Sequence, residues 1–329
     1  MLRNCSGEPI ERAIVVANPK ATHAKRMQRQ LKRLDLPQEI IETKPDPRYA
    51  RDELLKAAAA DKIIFGAGGD GTTHHIANTI LSPAGSETGL RWLPFVPLRG
   101  GNANDIAHML NGRHSPNHIV KHGSHAWLSP LEVTVTDDEG NQSTRYALGY
   151  FSVGATAAAA ERLDAIKNTA NRFTKAIGFQ ALREAVSVWH TVATAPVFMS
   201  REDEGRLLHP VGEHLFLRGN RIAKYGRPHA RLGQKAYELV TAGDKNHLSA
   251  IADMLKMQQG KLYGIMADEM SFTVLPTGPG APEISQMYDG ESAPIAYGSQ
   301  VSVSIAGKGE AWHTLTTQQL DSGQARFRP

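Results

Sequence analysis

Lys62-Ile-Ile-Phe-Gly-Ala-Gly-Gly-Asp-Gly-Thr72 decides how the chain is read. Lys62 to Gly66 is a short apolar run of the kind that forms a buried strand. Gly68, Gly69, Asp70, Gly71 and Thr72 form a glycine-rich turn, and Ile76 and Ile80 follow it at helical spacing. Glycine lets a backbone turn sharply and approach a ligand closely. A helix start just beyond such a turn offers unpaired N–H groups to phosphate. Asp70 supplies a carboxylate that can hold Mg²⁺ or orient a phosphate through water. A plain strand–helix turn, with Asp70 as a helix cap, would use the same residues.

The same pattern repeats on either side. Ala13 to Ala17 reads as a buried strand ending in the turn Asn18-Pro19, and Met27, Leu31 and Leu34 then fall at helical spacing. Gln38 to Thr43 and Trp92 to Pro97 are further strand candidates, with a helix from Arg48 to Ala60 between them and another carrying Ile106, Met109 and Leu110. Strands alternating with helices predict a mostly parallel sheet, with ligands at the carboxyl ends of its strands. Three polar turns fall at such ends: Asn18 to Thr22, Gly68 to Thr72, and Pro97 to Asp105. In the first, Asn18 can fix the loop or meet a nucleotide and Thr22 can donate to phosphate, although Asn-Pro is also a common turn pair. The third places Gly101, Asn104 and Asp105 on a polar lip, where Asn104 or Asp105 would also cap the following helix.

Beyond Ser124 to Leu128 the pattern changes. Leu131 to Thr136 and Val301 to Ile305 alternate apolar and polar residues, and His214 to Leu217, Tyr237 to Val240 and Met270 to Leu275 are short strand candidates. Helical stretches run from Ala157 to His190 and near Asn246 to Met257. The expected fold class is an α/β nucleotide-binding domain with a mostly parallel sheet, joined to a β-rich, sandwich-like second domain with inserted helices. The long helix could dock on a bilayer through Ile166, Phe173, Ile177 and Phe179, or pack on its own domain.

The whole chain is consistent with this reading. Its 329 residues, 41% hydrophobic, suit two domains with sizeable cores. A net charge of +4 favours an anionic partner, and no nucleic-acid signature accompanies it. Cys5 is the only cysteine, so no intramolecular disulfide can form and a reducing compartment is expected. Neither a signal pattern nor an apolar run long enough to span a bilayer is evident. The expected location is cytoplasmic, with peripheral contact at the inner face of an anionic membrane and no nucleic-acid partner.

Taken with the late Asp289-Gly290-Glu291, the three turns resemble the diacylglycerol kinase catalytic family, which includes bacterial lipid kinases and sphingosine kinases. Gly149 to Gly154 and Gly226 to Ala230 look like that family's second-domain segments. The resemblance implies ATP and Mg²⁺ in a cleft between the domains. It assigns nucleotide binding to Asn18, Thr22, Gly68, Gly69, Gly71, Thr72, Gly101, Asn104 and Asp105, and metal binding to Asp70. Asp70 and Glu291 become the catalytic residues, Glu291 activating the hydroxyl of a lipid alcohol. The implied domains are 1–127 and 128–312, with a C-terminal segment from about 313 to 329 returning to the first. NAD kinases share the glycine-rich loop, so a soluble small-molecule kinase is the alternative activity. The chain departs from the family pattern at His74-His75, where Asn-Glu is usual, at Arg99-Gly100-Gly101-Asn102, where the turn after the fourth strand usually reads Gly-Thr, and at Ser129-Pro130, where an aspartate is expected. The Asp-Gly expected near 233 is Gly233-Gln234, so an acidic structural Mg²⁺ site is expected to be missing. These changes keep a third reading open, a nucleotide-binding regulator that lost activity.

Overall fold

A computed structural model describes residues 9–44, 46–101, 104–169, 190–191, 196–202, 208–222, 228–230, 232, 234–242, 256, 259–261, 263–307 and 311–318. The chain opens with β1 (Arg12–Ala17), α1 (Ala24–Leu31), β2 (Gln38–Glu42), α2 (Pro47–Lys56) and β3 (Lys62–Ala67). It continues through α3 (Asp70–Leu81), α4 (Pro83–Glu87), β4 (Phe95–Pro97), α5 (Asp105–Asn111) and α6 (Pro116–His122). The four strands form one parallel sheet in the order β2-β1-β3-β4. Every residue of β3 is buried because helices cover both faces. Met27 and Leu31 of α1 and Ile119 of α6 pack on one face with Val15, Phe65 and Leu98. Leu54 of α2, Ile76 and Ile80 of α3 and Ile106 and Leu110 of α5 pack on the other with Ile14, Ile64 and Phe95.

Two expected elements come out shorter. The helix expected to reach Ala60 ends at Lys56, where the Lys62 ammonium donates to the Ala57 carbonyl at 2.7 Å and caps the last turn. The strand expected from Trp92 begins only at Phe95. Leu90–Trp92 is a 3₁₀ turn entered through Gly89 at φ 76°, and pairing with β3 starts at Ile64 opposite Phe95.

The remaining strands are β5 (Ser124–Leu128), β6 (Leu131–Thr136), β7 (Gln142–Ala147), β8 (Tyr150–Gly154), β9 (Phe198–Glu202), β10 (Leu208–Val211), β11 (Glu213–Leu217), β12 (Tyr237–Ala242), β13 (Ile265–Ala267), β14 (Glu269–Leu275), β15 (Ile284–Tyr288), β16 (Glu291–Ile295), β17 (Gln300–Ile305) and β18 (Trp312–Thr316). Helix α7 (Ala155–Thr169) follows β8. Twelve strands build two six-stranded antiparallel sheets, ordered β10-β9-β14-β17-β6-β7 and β13-β12-β11-β8-β15-β16. Val133, Phe272 and Val301 from one sheet meet Phe151, Phe216 and Tyr288 from the other in a common core, the arrangement of a β-sandwich. Strand β18 pairs with β5 and returns to the parallel-sheet region. There Thr314 Oγ1 donates to the Phe95 carbonyl and Thr316 Oγ1 to the Leu110 carbonyl, each at 2.7 Å. The expected helix near Asn246 to Met257 lies largely outside the described residues. So do Gly226, Gly233, residues beyond 318, and Phe173, Ile177 and Phe179 of the expected membrane-facing helix.

Candidate active site

The three polar turns lie side by side at the carboxyl end of the parallel sheet. Backbone contacts hold them together. Asn18 N donates to the Ala67 carbonyl at 3.1 Å, and His23 N and Gly100 N donate to the Gly100 and Gly68 carbonyls, each at 2.8 Å. The Asn18 side chain accepts from Lys20 N at 2.9 Å, which fixes the Asn-Pro turn, and Thr22 stands exposed on it. Gly69 and Gly101 are in closer contact still. A Cβ on Gly101 would lie 2.4 Å from the Gly69 Cα, and one on Gly100 would lie 2.7 Å from the Gly68 oxygen. Only glycine permits two chain segments to pack backbone against backbone in this way. Thr72 folds back over Gly68, its Oγ1 2.1 Å from where a Cβ at 68 would stand.

Gly69 is the N-cap of α3 and supplies no capping side chain, so the first-turn N–H groups of that helix have no intrahelical partner. Asp70, the first residue of α3, caps a different helix. Its carboxylate accepts from Asp105 N at 3.1 Å and Ile106 N at 3.4 Å, closing the N-terminus of α5. The side-chain cap expected from Asn104 or Asp105 is thereby corrected: Asn104 holds the N-cap position without capping, and Asp105 is the first residue of the helix. Asn104 sits in the left-handed region at φ 55°, and its side chain turns back to accept from Gly101 N and donate to the Gly101 carbonyl, each at 2.7 Å. Asp105 is fully buried and pairs with Arg221 at 3.3 Å. Burial first, then the neighbouring Asp105 and Asp289 charges, push the Asp70 carboxyl up to about 7.

Asp289-Gly290 forms the two-residue turn between β15 and β16, both residues at positive φ (49° and 96°), as a tight hairpin of that length requires. The buried Asp289 carboxylate accepts from Leu148 N, Gly149 N and Tyr150 N at 2.7, 2.8 and 3.0 Å. This fixes the hairpin against the β7–β8 turn. Glu291, half-exposed, then reaches across to the start of α3, and its Oε1 occupies the space a side chain at Gly71 would need. His74 is buried with Nδ1 3.5 Å from Asp289, and His75 Nε2 lies 3.8 Å from Glu291. The two histidines point apart along the helix, and each meets a carboxylate of the distant hairpin. Burial lowers the His75 pKa, with Glu291 opposing and His74 and Arg145 reinforcing the shift.

Residues 12–136 match the diacylglycerol kinase catalytic domain family. Three solved structures from Bacillus anthracis str. Sterne share the fold over nearly the whole chain. One is titled a diacylglycerol kinase and two are titled as candidates for that activity. They are 16, 15 and 16% identical, with TM-scores of 0.59, 0.58 and 0.61. Each alignment covers 93% of this chain and 97 or 98% of the other. No functionally curated protein matches the sequence. The chain therefore resembles the diacylglycerol kinase family in sequence over its first part and has the fold of these structures nearly throughout. The matched residues include Asp70, Asn104 and Asp105, and Glu291 lies beyond them.

The residues present fit a nucleotide with a divalent cation. The turn packs glycine against glycine at Gly69 and Gly101, Thr72 and Glu291 border it at Gly68 and Gly71, and the start of α3 beside it offers N–H groups where phosphates would approach. Among the described residues no three metal-ligating side chains converge. Mg²⁺ is usually held by one or two carboxylates together with substrate phosphates, and Asp70 is the carboxylate that stands at the turn. Tyr150 was not singled out from the sequence, yet it is buried beside Asp70, Asp105, Asp289 and Glu291. Its hydroxyl pKa is raised well above the ordinary value by burial and by those four charges. The glycine-flanked run from Gly149 to Gly154 carried the only signal for it. At Ser129, another departure from the family pattern, the backbone carbonyl accepts from the buried Arg218 Nε at 2.9 Å.

Proposed function

We propose that the protein is an ATP-dependent lipid kinase that transfers the γ-phosphoryl group to the hydroxyl of a diacylglycerol-like or related lipid alcohol. The observation that carries this reading is the position of Glu291. A carboxylate from the β-rich region lies against Gly71, one residue from Asp70, at the mouth of the glycine-rich turn. Phosphoryl transfer relies mostly on positioning and electrostatic stabilisation, and the site consists of turns, backbone N–H groups and carboxylates.

In this reading residues 1–127 with the returning segment from about 313 to 329 bind the nucleotide, and residues 128–312 hold the lipid. Asn18, Thr22, Gly68, Gly69, Gly71, Thr72, Gly101, Asn104 and Asp105 shape the nucleotide site. Asp70 holds the Asn104-Asp105 turn and would help hold Mg²⁺. ATP supplies the phosphoryl group and Mg²⁺ spreads its charge. Glu291 accepts the proton of the lipid hydroxyl, whose own pKa is far too high for it to ionise unaided. Asp289 fixes the backbone that places Glu291. Contact with the membrane is peripheral and electrostatic.

The test is a transfer assay with labelled ATP and Mg²⁺ against a panel of lipid alcohols in mixed micelles. Label should appear in a lipid product. Label in a soluble acceptor alone would replace this reading with a small-molecule kinase, and absence of turnover with every acceptor would reject an enzyme.

A further inference from the structure

On the α1–α6 face of the parallel sheet, the molecule concentrates positive charge around a small cavity. Arg26 of α1, Arg99 of the turn after β4 and Arg113 of the α5–α6 link all line it, beside Gln30, Asn111 and His114. Asp70, Asp105 and Glu291 do not. Among the described residues no carboxylate reaches ion-pair distance of these three guanidinium groups, whereas nearby Arg221 is answered by Asp105. Arg99 Nε is buried and makes no hydrogen bond.

Such a cluster is costly as it stands. The Arg99 Nε, buried without a hydrogen-bond partner, loses hydration, and like charges at close range repel. The surroundings register the strain. Burial, then Arg26, Arg113 and Arg221, lowers the Arg99 pKa. Burial, then Arg99, Arg221 and Arg113, lowers His108 to about 4.

We infer that this cavity is an anion site for a phosphate group, separate from the nucleotide site. Arginine forks pair with phosphate oxygens bidentately, and a dianion neutralises several cations at once. Arg26 and Arg113 are exposed at the mouth and Arg99 is partly covered deeper in, so a ligand enters from solvent without opening the fold. Arg99 directly precedes Gly100, whose N–H is bonded to Gly68. Occupancy therefore bears on the glycine-rich turn through one peptide link. Inorganic phosphate and the headgroup of an acidic phospholipid share this chemistry.

Calorimetric titration of the full chain with inorganic phosphate, at constant ionic strength, tests the site without any assay of kinase activity. Saturable binding is expected, weakened at least tenfold by Arg99→Gln and by Arg113→Gln, and retained in saturating Mg·ADP. Arg113 is exposed, so its variant keeps the test valid if Arg99→Gln fails to fold. A parallel arm uses phosphatidic acid vesicles against phosphatidylcholine vesicles. Arginine-dependent vesicle binding without binding of free phosphate would identify the headgroup as the source and support the site. Three results would overturn the inference: displacement by Mg·ADP, affinity unchanged in both variants, or no binding of either phosphate form.

Discussion

Glu291→Gln keeps the shape of the side chain and removes its basicity. The proposed function predicts a fall in kcat of about 10²–10⁴-fold, with ATP affinity nearly unchanged because the residue acts on the acceptor. Equal turnover of the two proteins in the lipid assay would remove Glu291 from the mechanism. Asp289 makes a different prediction two residues away. Its carboxylate serves three buried N–H groups, and an amide would turn a donor toward some of them. Asp289→Asn should therefore cost about 2–4 kcal/mol of stability, read as a lower denaturant midpoint. A loss below about 0.5 kcal/mol would show that those N–H groups find other partners. The sequence alone marks Asp289-Gly290-Glu291 as nothing more than a surface turn, and only the family resemblance singled out Glu291. What Asp289 holds was illegible because its partners Leu148 to Tyr150 belong to a turn remote in sequence. The partners of His74 and His75 were hidden for the same reason, since helical spacing says where a side chain points and not what a distant hairpin brings to it.

Elements were legible where local pattern and tertiary environment agree. The runs at Ala13 and Lys62, with helices beginning after each, appear where the sequence places them. The short second-region strands were harder to read. Strand β7 is exposed along most of its length and β16 carries Pro294, so neither shows the apolar alternation that marks a strand. The β5–β18 ribbon makes its own prediction. His313 is fully buried, hydrogen-bonded to His125 at 2.8 Å and to the Trp92 carbonyl at 3.0 Å, and stacked on Trp127. Burial lowers its pKa to about 4, with His125 assisting and the Trp92 hydrogen bond opposing. An unfolded histidine takes up a proton near pH 6.5, so the unfolded state binds more protons between about 6.5 and 4 and stability falls as pH drops through that window. The loss attributable to His313 is about 3 kcal/mol at the acid end. Unfolding free energies from pH 7 to 4 should decline more steeply in the native sequence than in His313→Gln, and parallel curves would refute the assignment. Gly101→Ala tests the turns in the same way. A Cβ 2.4 Å from the Gly69 Cα forces the two turns apart, and ATP affinity measured by calorimetry should fall at least tenfold.

At the scale of the molecule, the sequence conveys two architectures but not how they meet. Alternating strands and helices imply a parallel sheet, and short strands imply a β-rich partner. Strand order in the sandwich depends on pairings such as β17 between β14 and β6, which no local pattern encodes. Membrane attachment can be argued from bulk properties instead. Among the described residues no helix is long and apolar enough to cross a bilayer, while the proposed acceptor is a lipid and the net charge is +4. A charge-driven encounter is screened by salt, since the Debye length shrinks from about 10 Å at 0.1 M to about 3 Å at 1 M. Anionic headgroups attract basic surface at roughly 1 kcal/mol per cation close to the membrane, so a few such cations acting together would suffice for reversible binding. Flotation should accordingly recover the protein with phosphatidylglycerol vesicles at low salt, recover much less with phosphatidylcholine, and lose most of the bound fraction by about 0.5 M NaCl. Insertion of apolar side chains into the bilayer would respond differently, because apolar burial is not screened and is strengthened by excluded salts. Binding that persists in high salt would therefore assign the attachment to apolar contacts, and absence of binding at any lipid composition would leave the lipid to be presented to the enzyme by other means.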